Sequence, residues 1–136
     1  MMNLQTHGME QIEGTYLFDL RTSNRALRLN RFFWHMIRAP WRDRFLQDAE
    51  VLMREADLIE QEKALIRARD WLGLVQYGAN FFVIEKFARV VRMTNLQVYA
   101  IMRGESFEDF MQTRRVRAER RVATMRRIAA LPDFPT

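Results

Sequence analysis

Apolar side chains recur three and four positions apart along most of this 136-residue sequence, and this spacing constrains the fold more than any other feature. It places apolar groups on one side of a helix, whereas a half-buried strand needs an apolar residue at every second position. Glycine and proline, which interrupt helices, occur only five and three times. The sequence therefore predicts an all-α fold, built as one compact multi-helix domain with a basic helix near its C-terminal end.

Cap residues and prolines predict where the first helices begin and end. Ser23 or Asn24 is expected to cap a first helix that Pro40 ends. The next helix is expected to begin after Asp43 and to carry a single unbroken apolar stripe.

Later boundaries follow from the same chemistry. Asp57, followed three residues later by Glu60, resembles the capping box of a third helix. The remaining boundaries expected are a break at Gly78, caps at Asn80 and at Thr94 or Asn95, a stop at Gly104, and a last start at Ser106 and Asp109.

Most of the positive charge lies near the C-terminal end. The net charge is +5, but residues 114–127 hold seven arginines and one glutamate, so the rest of the chain sums to −1. The body is therefore not suited to holding a polyanion. We expect the arginine-rich segment to form a solvated helix that docks on an acidic part of a partner protein. Contacts with nucleic-acid phosphates or an anionic membrane are the less favoured alternatives.

Few residues in this chain could carry catalysis. The absence of cysteine excludes disulfides, thiol nucleophiles, zinc-thiolate sites and iron-sulfur ligation. A non-haem iron site needs two histidines and a carboxylate on one ion, and nothing places His7 beside His35. Ser23 and Ser106 lie at expected helix starts without a nucleophile-elbow motif. We expect no catalytic residue and no metal ligands in this chain.

The sequence also predicts a location in the cell. No run approaches the roughly 20 apolar residues that cross a membrane. The first residues lack the basic and apolar regions of a signal peptide. We therefore expect a cytoplasmic protein.

A set of spaced motifs runs through the middle of the chain in the order Leu29-Asn30-x-Phe32, Arg42-x-x-Phe45, Lys63-Ala64, Ala68-Arg69-Asp70, Gly78-x-Asn80, Lys86 and Met102-x-Gly104. In order and spacing these motifs resemble the small (α) subunit of protocatechuate 4,5-dioxygenase and the matching domain of gallate dioxygenases. The resemblance covers roughly residues 14 to 112. It divides the chain into an irregular segment 1–13, a helical dioxygenase small-subunit-like domain 14–112, and a basic helical extension 113–136.

The resemblance implies a noncatalytic subunit of a two-chain extradiol dioxygenase that opens the ring of a protocatechuate-like or gallate-like catechol. The larger β subunit of such an enzyme carries Fe(II), its ligands and the catalytic base, and the small subunit covers the active site. The matching segment implies that Asn95, Leu96 and Met93 form a lid near the substrate. From the residues alone, Asn95 could equally be a helix cap and Leu96 a core residue.

A partner interface is the last site predicted. Aromatic residues are concentrated between positions 32 and 87, and a domain this small buries only part of them. Core and interface stay equally open for the set. The residues predicted to contact the β subunit are Phe32, Trp34, Trp41, Gly78, Asn80 and Phe81. The main alternative is a stand-alone helical adaptor or peptide-recognition module without dioxygenase activity. A nucleic-acid-associated protein acting through its arginines is a third.

Overall fold

The structure, a computed structural model, describes residues 4–130, apart from the side chains at positions 116 and 117. Every regular element within residues 4–130 is helical, which confirms the all-α prediction. The elements are a 3₁₀ turn at Met9–Gln11, α1 (Leu20–Arg25), α2 (Leu27–Trp34), a 3₁₀ turn at His35–Ile37, α3 (Ala39–Gln47), α4 (Ala49–Glu55), α5 (Glu60–Ala68), α6 (Trp71–Tyr77), α7 (Phe81–Val90), α8 (Asn95–Met102) and α9 (Phe107–Ala129).

The chain forms two compact units, one ending at Val98 and the next beginning at Tyr99. α9 runs without interruption through position 112, where the sequence placed a domain boundary. Among the described helices, none combines the length and the apolar character that a membrane crossing requires. The predicted segments 1–13 and 113–136 extend beyond the described residues at positions 1–3 and 131–136.

The first helix begins earlier than the sequence predicted. Asp19 is its N-cap, and its carboxylate accepts a hydrogen bond of 2.8 Å from the backbone N–H of Thr22. The predicted caps Ser23 and Asn24 instead lie inside α1. The prediction was wrong because Asp19, an equally good cap, lies before the apolar pattern becomes regular.

The predicted boundaries at Pro40 and Asp43 were also wrong. Pro40 lies in the first turn of α3, where the missing N–H of proline costs nothing. Asp43 is inside α3. Asp48 then separates α3 from α4, and its side chain accepts from the N–H of Val51 at 3.2 Å. The apolar stripe continues across this break, so the stripe alone predicted one helix instead of two.

Asp57 does not cap a helix start, which makes the predicted capping box with Glu60 wrong. Asp57 adopts a left-handed conformation with φ 54° just after α4. The N–H of Leu58 donates to the carbonyl of Met53 at 3.2 Å, and the N–H of Asp57 donates to Arg54 at 3.0 Å. This pair of bonds is the Schellman motif that ends a helix.

The predicted boundaries in the second half are confirmed. Gly78 has φ 118° at the end of α6, and Gly104 has φ 67° after α8. Asn80 caps α7, and Ser106 caps α9 by accepting from the N–H of Asp109 at 3.1 Å. Of the alternatives Thr94 and Asn95, Thr94 is the cap, since its hydroxyl accepts from the N–H of Gln97 at 3.2 Å.

The core of the first unit is built around Phe87, which has no exposed surface. Its ring stacks on Phe33 with centroids 4.8 Å apart and meets Trp71 at 5.2 Å. Phe45 approaches the same ring edge-on at 5.7 Å. These contacts join α2, α3, α6 and α7. Edge and stacked ring pairs add to the free energy gained from burying their area.

Candidate functional site

The turn between α6 and α7 is held by the residues of the Gly78-x-Asn80 motif. A Cβ atom on Gly78 would lie 2.7 Å from Cγ2 of Thr22 and 3.1 Å from Cβ of Ala26. With its positive φ of 118°, Gly78 therefore lets α1 and α2 approach the end of α6 closely.

Asn30 on α2 bridges this turn. Its amide nitrogen donates to the carbonyl of Gly78 at 3.2 Å, and its oxygen accepts from the N–H of Asn80 at 2.8 Å. The side chain of Asn80 accepts from the N–H of Phe82 at 2.8 Å. These bonds fix the direction in which α7 starts, and with it the positions of Phe81 and Phe82.

A second set of polar contacts secures the end of α6. The guanidinium of Arg25 donates to the carbonyl of Tyr77 at 2.8 Å and lies 4.9 Å from the centre of its ring. The hydroxyl of Tyr77 donates at 2.8 Å to Glu62, which is the buried charged residue of the described core. The other oxygen of Glu62 accepts from the N–H of Ile59 at 3.3 Å. Burial first, and then the bond to Glu62, raise the pKa of Tyr77 to about 12.

Large apolar side chains are exposed beside this turn. Phe82 is 73% exposed and Phe81 47%, so the start of α7 is not buried. Phe18, Leu27 and Trp34 are exposed at 61%, 43% and 52%. We call these five residues the aromatic face. Exposed apolar groups collected in one patch mark surfaces that other molecules cover.

Two open cavities shape the aromatic face. One, of about 270 Å³, is lined by Tyr16, Leu17, Phe18, Val75, Ala79, Asn80, Phe81 and Phe82. The other, of about 460 Å³, is lined by Phe18, Ser23, Leu27, Asn30, Arg31, Trp34, Asn80, Phe82 and Val83. Both share Phe18, Asn80 and Phe82, so the cavities lie side by side. Their linings combine mostly apolar walls with a few polar groups, as interface cores do.

The structure brings together only part of the predicted interface. Trp34, Asn80 and Phe81 line the two cavities. Trp34 also lies under the ammonium group of Lys86, 5.5 Å from its ring centre. The sequence did not predict Phe18, Leu27 or Phe82. The sequence does contain one indication for Phe82. This residue lies in the first turn of α7, on the side of the helix away from the buried residues Ile84, Phe87 and Ala88.

The other predicted interface residues are less accessible. Gly78 is buried, and Phe32 is only 1% exposed because it belongs to the core. Trp41 is half-buried between Phe32 and His35, with ring centres 5.6 and 4.8 Å away. Its indole nitrogen is buried and has no hydrogen-bond partner among residues 4–130.

The predicted lid residues lie at the opposite end of α7 from the aromatic face. Met93, Asn95 and Leu96 are each half-buried, around the turn that leads into α8. Arg92 has φ 59°, and the N–H of Met93 donates to the carbonyl of Ala88 at 2.8 Å. The ten residues of α7 set the two ends about 15 Å apart.

A metal centre is not formed by the described residues. No group of three or more histidine, aspartate or glutamate side chains within positions 4–130 lies close enough to hold an ion. His7 is exposed near the start of the chain, whereas His35 packs against Trp41.

Comparison with known proteins connects this arrangement to one family. Residues 29–115 match the family described as aromatic-ring-opening dioxygenase LigAB, LigA subunit. A gallate dioxygenase of Pseudomonas putida KT2440 is 52% identical over 113 residues, which is 83% of this chain. The chain spans about a third of the length of that relative, 33%. The chain therefore belongs to the LigA family of aromatic-ring-opening dioxygenase subunits.

Proposed function

We propose that this chain is the noncatalytic small subunit of an extradiol ring-opening dioxygenase and that it covers an Fe(II) site held by a large subunit. The observation that carries the proposal is the family match over residues 29–115, strengthened by 52% identity to a gallate dioxygenase. The two-thirds of that relative outside the matched region correspond, in this proposal, to the large catalytic part.

The iron belongs to the large subunit in this proposal. A two-histidine, one-carboxylate site needs converging ligands with open positions on the metal. The described residues do not fit such a site, since the His35 ring lies against Trp41 at 4.8 Å. No step of the reaction is therefore assigned to a residue of this chain. Its contribution is to position the substrate and to keep water out.

The aromatic face supplies the surface through which the large subunit is held. Phe18 and Phe82 project from it with more than half of their surface exposed, 61% and 73%. Burying apolar surface stabilises a complex by about 25 cal/mol per Å². Two such exposed rings can therefore form the centre of an interface. The hydrogen bonds of Asn30 and Asn80 hold the start of α7 before binding, which lowers the entropy lost on association.

The lid proposed from the resemblance consists of Met93, Asn95 and Leu96. Two apolar side chains and one amide suit a surface that must exclude water and still contact a polar ring substituent. In this proposal the substrate is a gallate-like or protocatechuate-like catechol. The large subunit contacts both ends of α7.

Co-expression with the large subunit of a gallate or protocatechuate dioxygenase tests the proposal. Oxygen uptake with gallate and with protocatechuate is followed for the large subunit alone and for the complex. We expect ring opening to be faster in the complex, by about tenfold or more if the lid orients the ring. Equal rates with and without the chain would remove the lid role. A chain that binds no iron-containing protein and stays a lone monomer or homodimer would favour an adaptor instead.

A matched pair of variants tests which surface binds the large subunit. Phe82→Asp places a charge on the aromatic face, and Leu46→Asp places one on α3, where Leu46 is 65% exposed and lines neither cavity. Both variants should fold normally, because neither side chain is buried. Phe82→Asp should weaken the complex about 100-fold and Leu46→Asp less than about threefold. Equal weakening by the two would place the interface elsewhere.

A further inference from the structure

The helix α9 carries a narrow apolar stripe among its arginines. At about 100° per residue, the side chains of Met111, Ala118, Val122, Met125 and Ala129 fall within an arc of about 60°. Val122 is 51% exposed and Met125 64%. The family match ends at position 115, so most of this stripe lies beyond the matched residues.

Arginines border the stripe on both sides. Arg114 and Arg121 lie along one edge, and Arg115 and Arg126 along the other, at the same 100° spacing. Within the described residues, no ion pair joins Arg121 or Arg126 to an acidic side chain. The stripe therefore presents apolar groups between two edges that carry mainly arginine, with Glu119 beside Arg126 on one of them.

The arrangement of apolar and basic side chains on α9 indicates what kind of partner binds the stripe. A second copy of α9 would set arginine rows against each other, which like-charge repulsion opposes. Phosphates of a nucleic acid would engage the arginines but leave Val122 and Met125 uncovered. Helices that lie on membranes have wide apolar faces with large aliphatic or aromatic residues. This stripe covers an arc of only about 60° and contains two alanines, which is closer to the narrow contact face of a coiled coil. A protein groove with an apolar floor and acidic edges matches both features.

We infer that α9 docks along this stripe into a groove of the large subunit whose edges carry carboxylates. The inference rests on the proposed function, because it takes the large subunit as the partner. The aromatic face and the stripe of α9 then provide two separate contacts with the same protein. Two linked contacts bind more tightly than either does by itself.

Two charge-reversal variants of the whole chain test this, with the purified large subunit as the probe. R121E/R126E reverses one arginine on each edge of the stripe. R120E/R127E makes the same change in net charge on the opposite side of the helix. A third variant, V122N/M125N, removes the apolar stripe without changing charge. Helix content is checked by circular dichroism, and the dissociation constant is measured at low salt and at about 0.15 M salt.

We expect R121E/R126E and V122N/M125N each to weaken the complex at least about tenfold, and R120E/R127E less than about threefold. R121E/R126E should also reduce the salt dependence of binding more than R120E/R127E does. Equal weakening by both reversals, or no effect of V122N/M125N, would overturn the inference and leave the proposed function standing. No complex with the unaltered chain would overturn both. Tight binding of a 30-base-pair DNA duplex or of phosphatidylserine vesicles, insensitive to V122N/M125N, would also overturn it.

Discussion

Residues of the family motifs act mainly through backbone geometry. Gly78 has the conformation and the small volume that the contact with Thr22 requires, and Asn30 binds both sides of the following turn. Asp70 caps α6 by accepting from the N–H of Gly73 at 2.9 Å, just after Arg69 has ended α5. The motifs therefore specify helix ends, and through them the place of the aromatic face.

Gly78→Ala should destabilise the chain by about 2 to 4 kcal/mol, because a left-handed alanine is strained and its Cβ would overlap Thr22. Urea unfolding measures this change. Thr22→Ser removes the methyl group that would lie 2.7 Å away, so it should recover part of the loss in the double variant. No recovery would mean that the crowding lies with the other neighbours of Gly78.

Tyr77→Phe should cost about 1 to 3 kcal/mol near neutral pH, because it leaves an oxygen of buried Glu62 without its hydroxyl partner. The exposed Tyr16 provides the control, and Tyr16→Phe should change little.

The same variant has a predicted pH dependence. The pKa of Tyr77 is raised from 10.0 to about 12 in the folded chain, so the folded state retains its proton where the unfolded state has lost it. Stability from this group is present below pH 10.0 and is lost as the pH rises toward about 12. The difference in unfolding free energy between the native chain and Tyr77→Phe should therefore shrink above pH 10.0. A constant difference would contradict the raised pKa of Tyr77.

At the scale of elements, one type of helix end recurs. Left-handed residues follow α4, α5, α6, α7 and α8, each with the paired backbone bonds of a Schellman motif. Glycine occupies two of these positions, and the others are Asp57, Arg69 and Arg92. Short helices separated by such turns allow the chain to surround the core ring of Phe87.

Arg69→Gly should stabilise the chain by about 0.5 to 1 kcal/mol, because glycine adopts φ 48° without a Cβ penalty. The reverse change at an equivalent turn, Gly104→Ala, should destabilise by about 1 kcal/mol, since no atom lies within 4 Å of its Cβ position and only backbone strain remains. Thermal unfolding of both variants measures the two changes. A destabilising Arg69→Gly would indicate a stabilising contact made by the arginine side chain.

Sequence patterns predicted helices better than their boundaries. Asn80 and Ser106 were predictable because each cap precedes a clear apolar pattern. Asp48 was not, because the stripe continues across the break, and Asp57 was not, because a left-handed aspartate has no local signature. The exposure of Phe82 depends on which elements cover α7, which periodicity does not reveal. The spaced motifs predicted the family of the chain. Which apolar side chains remain exposed depends on tertiary packing.

For the whole first unit, the central feature is that α7 connects two different surfaces. Its first turn carries Phe81 and Phe82 on the aromatic face, and its last turn leads to Met93 and the proposed lid. The buried middle of the helix, around Phe87, keeps the two ends at a fixed separation. In the proposed function, the large subunit is held at the first end of α7, and its active site is closed at the second end.

Hydrogen exchange of the chain, alone and in complex with the large subunit, tests this claim most directly. We expect slower exchange of backbone amides at both ends of α7, around Phe82 and around Met93 to Leu96. Exchange should stay unchanged around the exposed ion pair of Glu50 and Arg67, 2.5 Å apart on α4 and α5. Protection at Glu50 and Arg67 with none at either end of α7 would contradict the account.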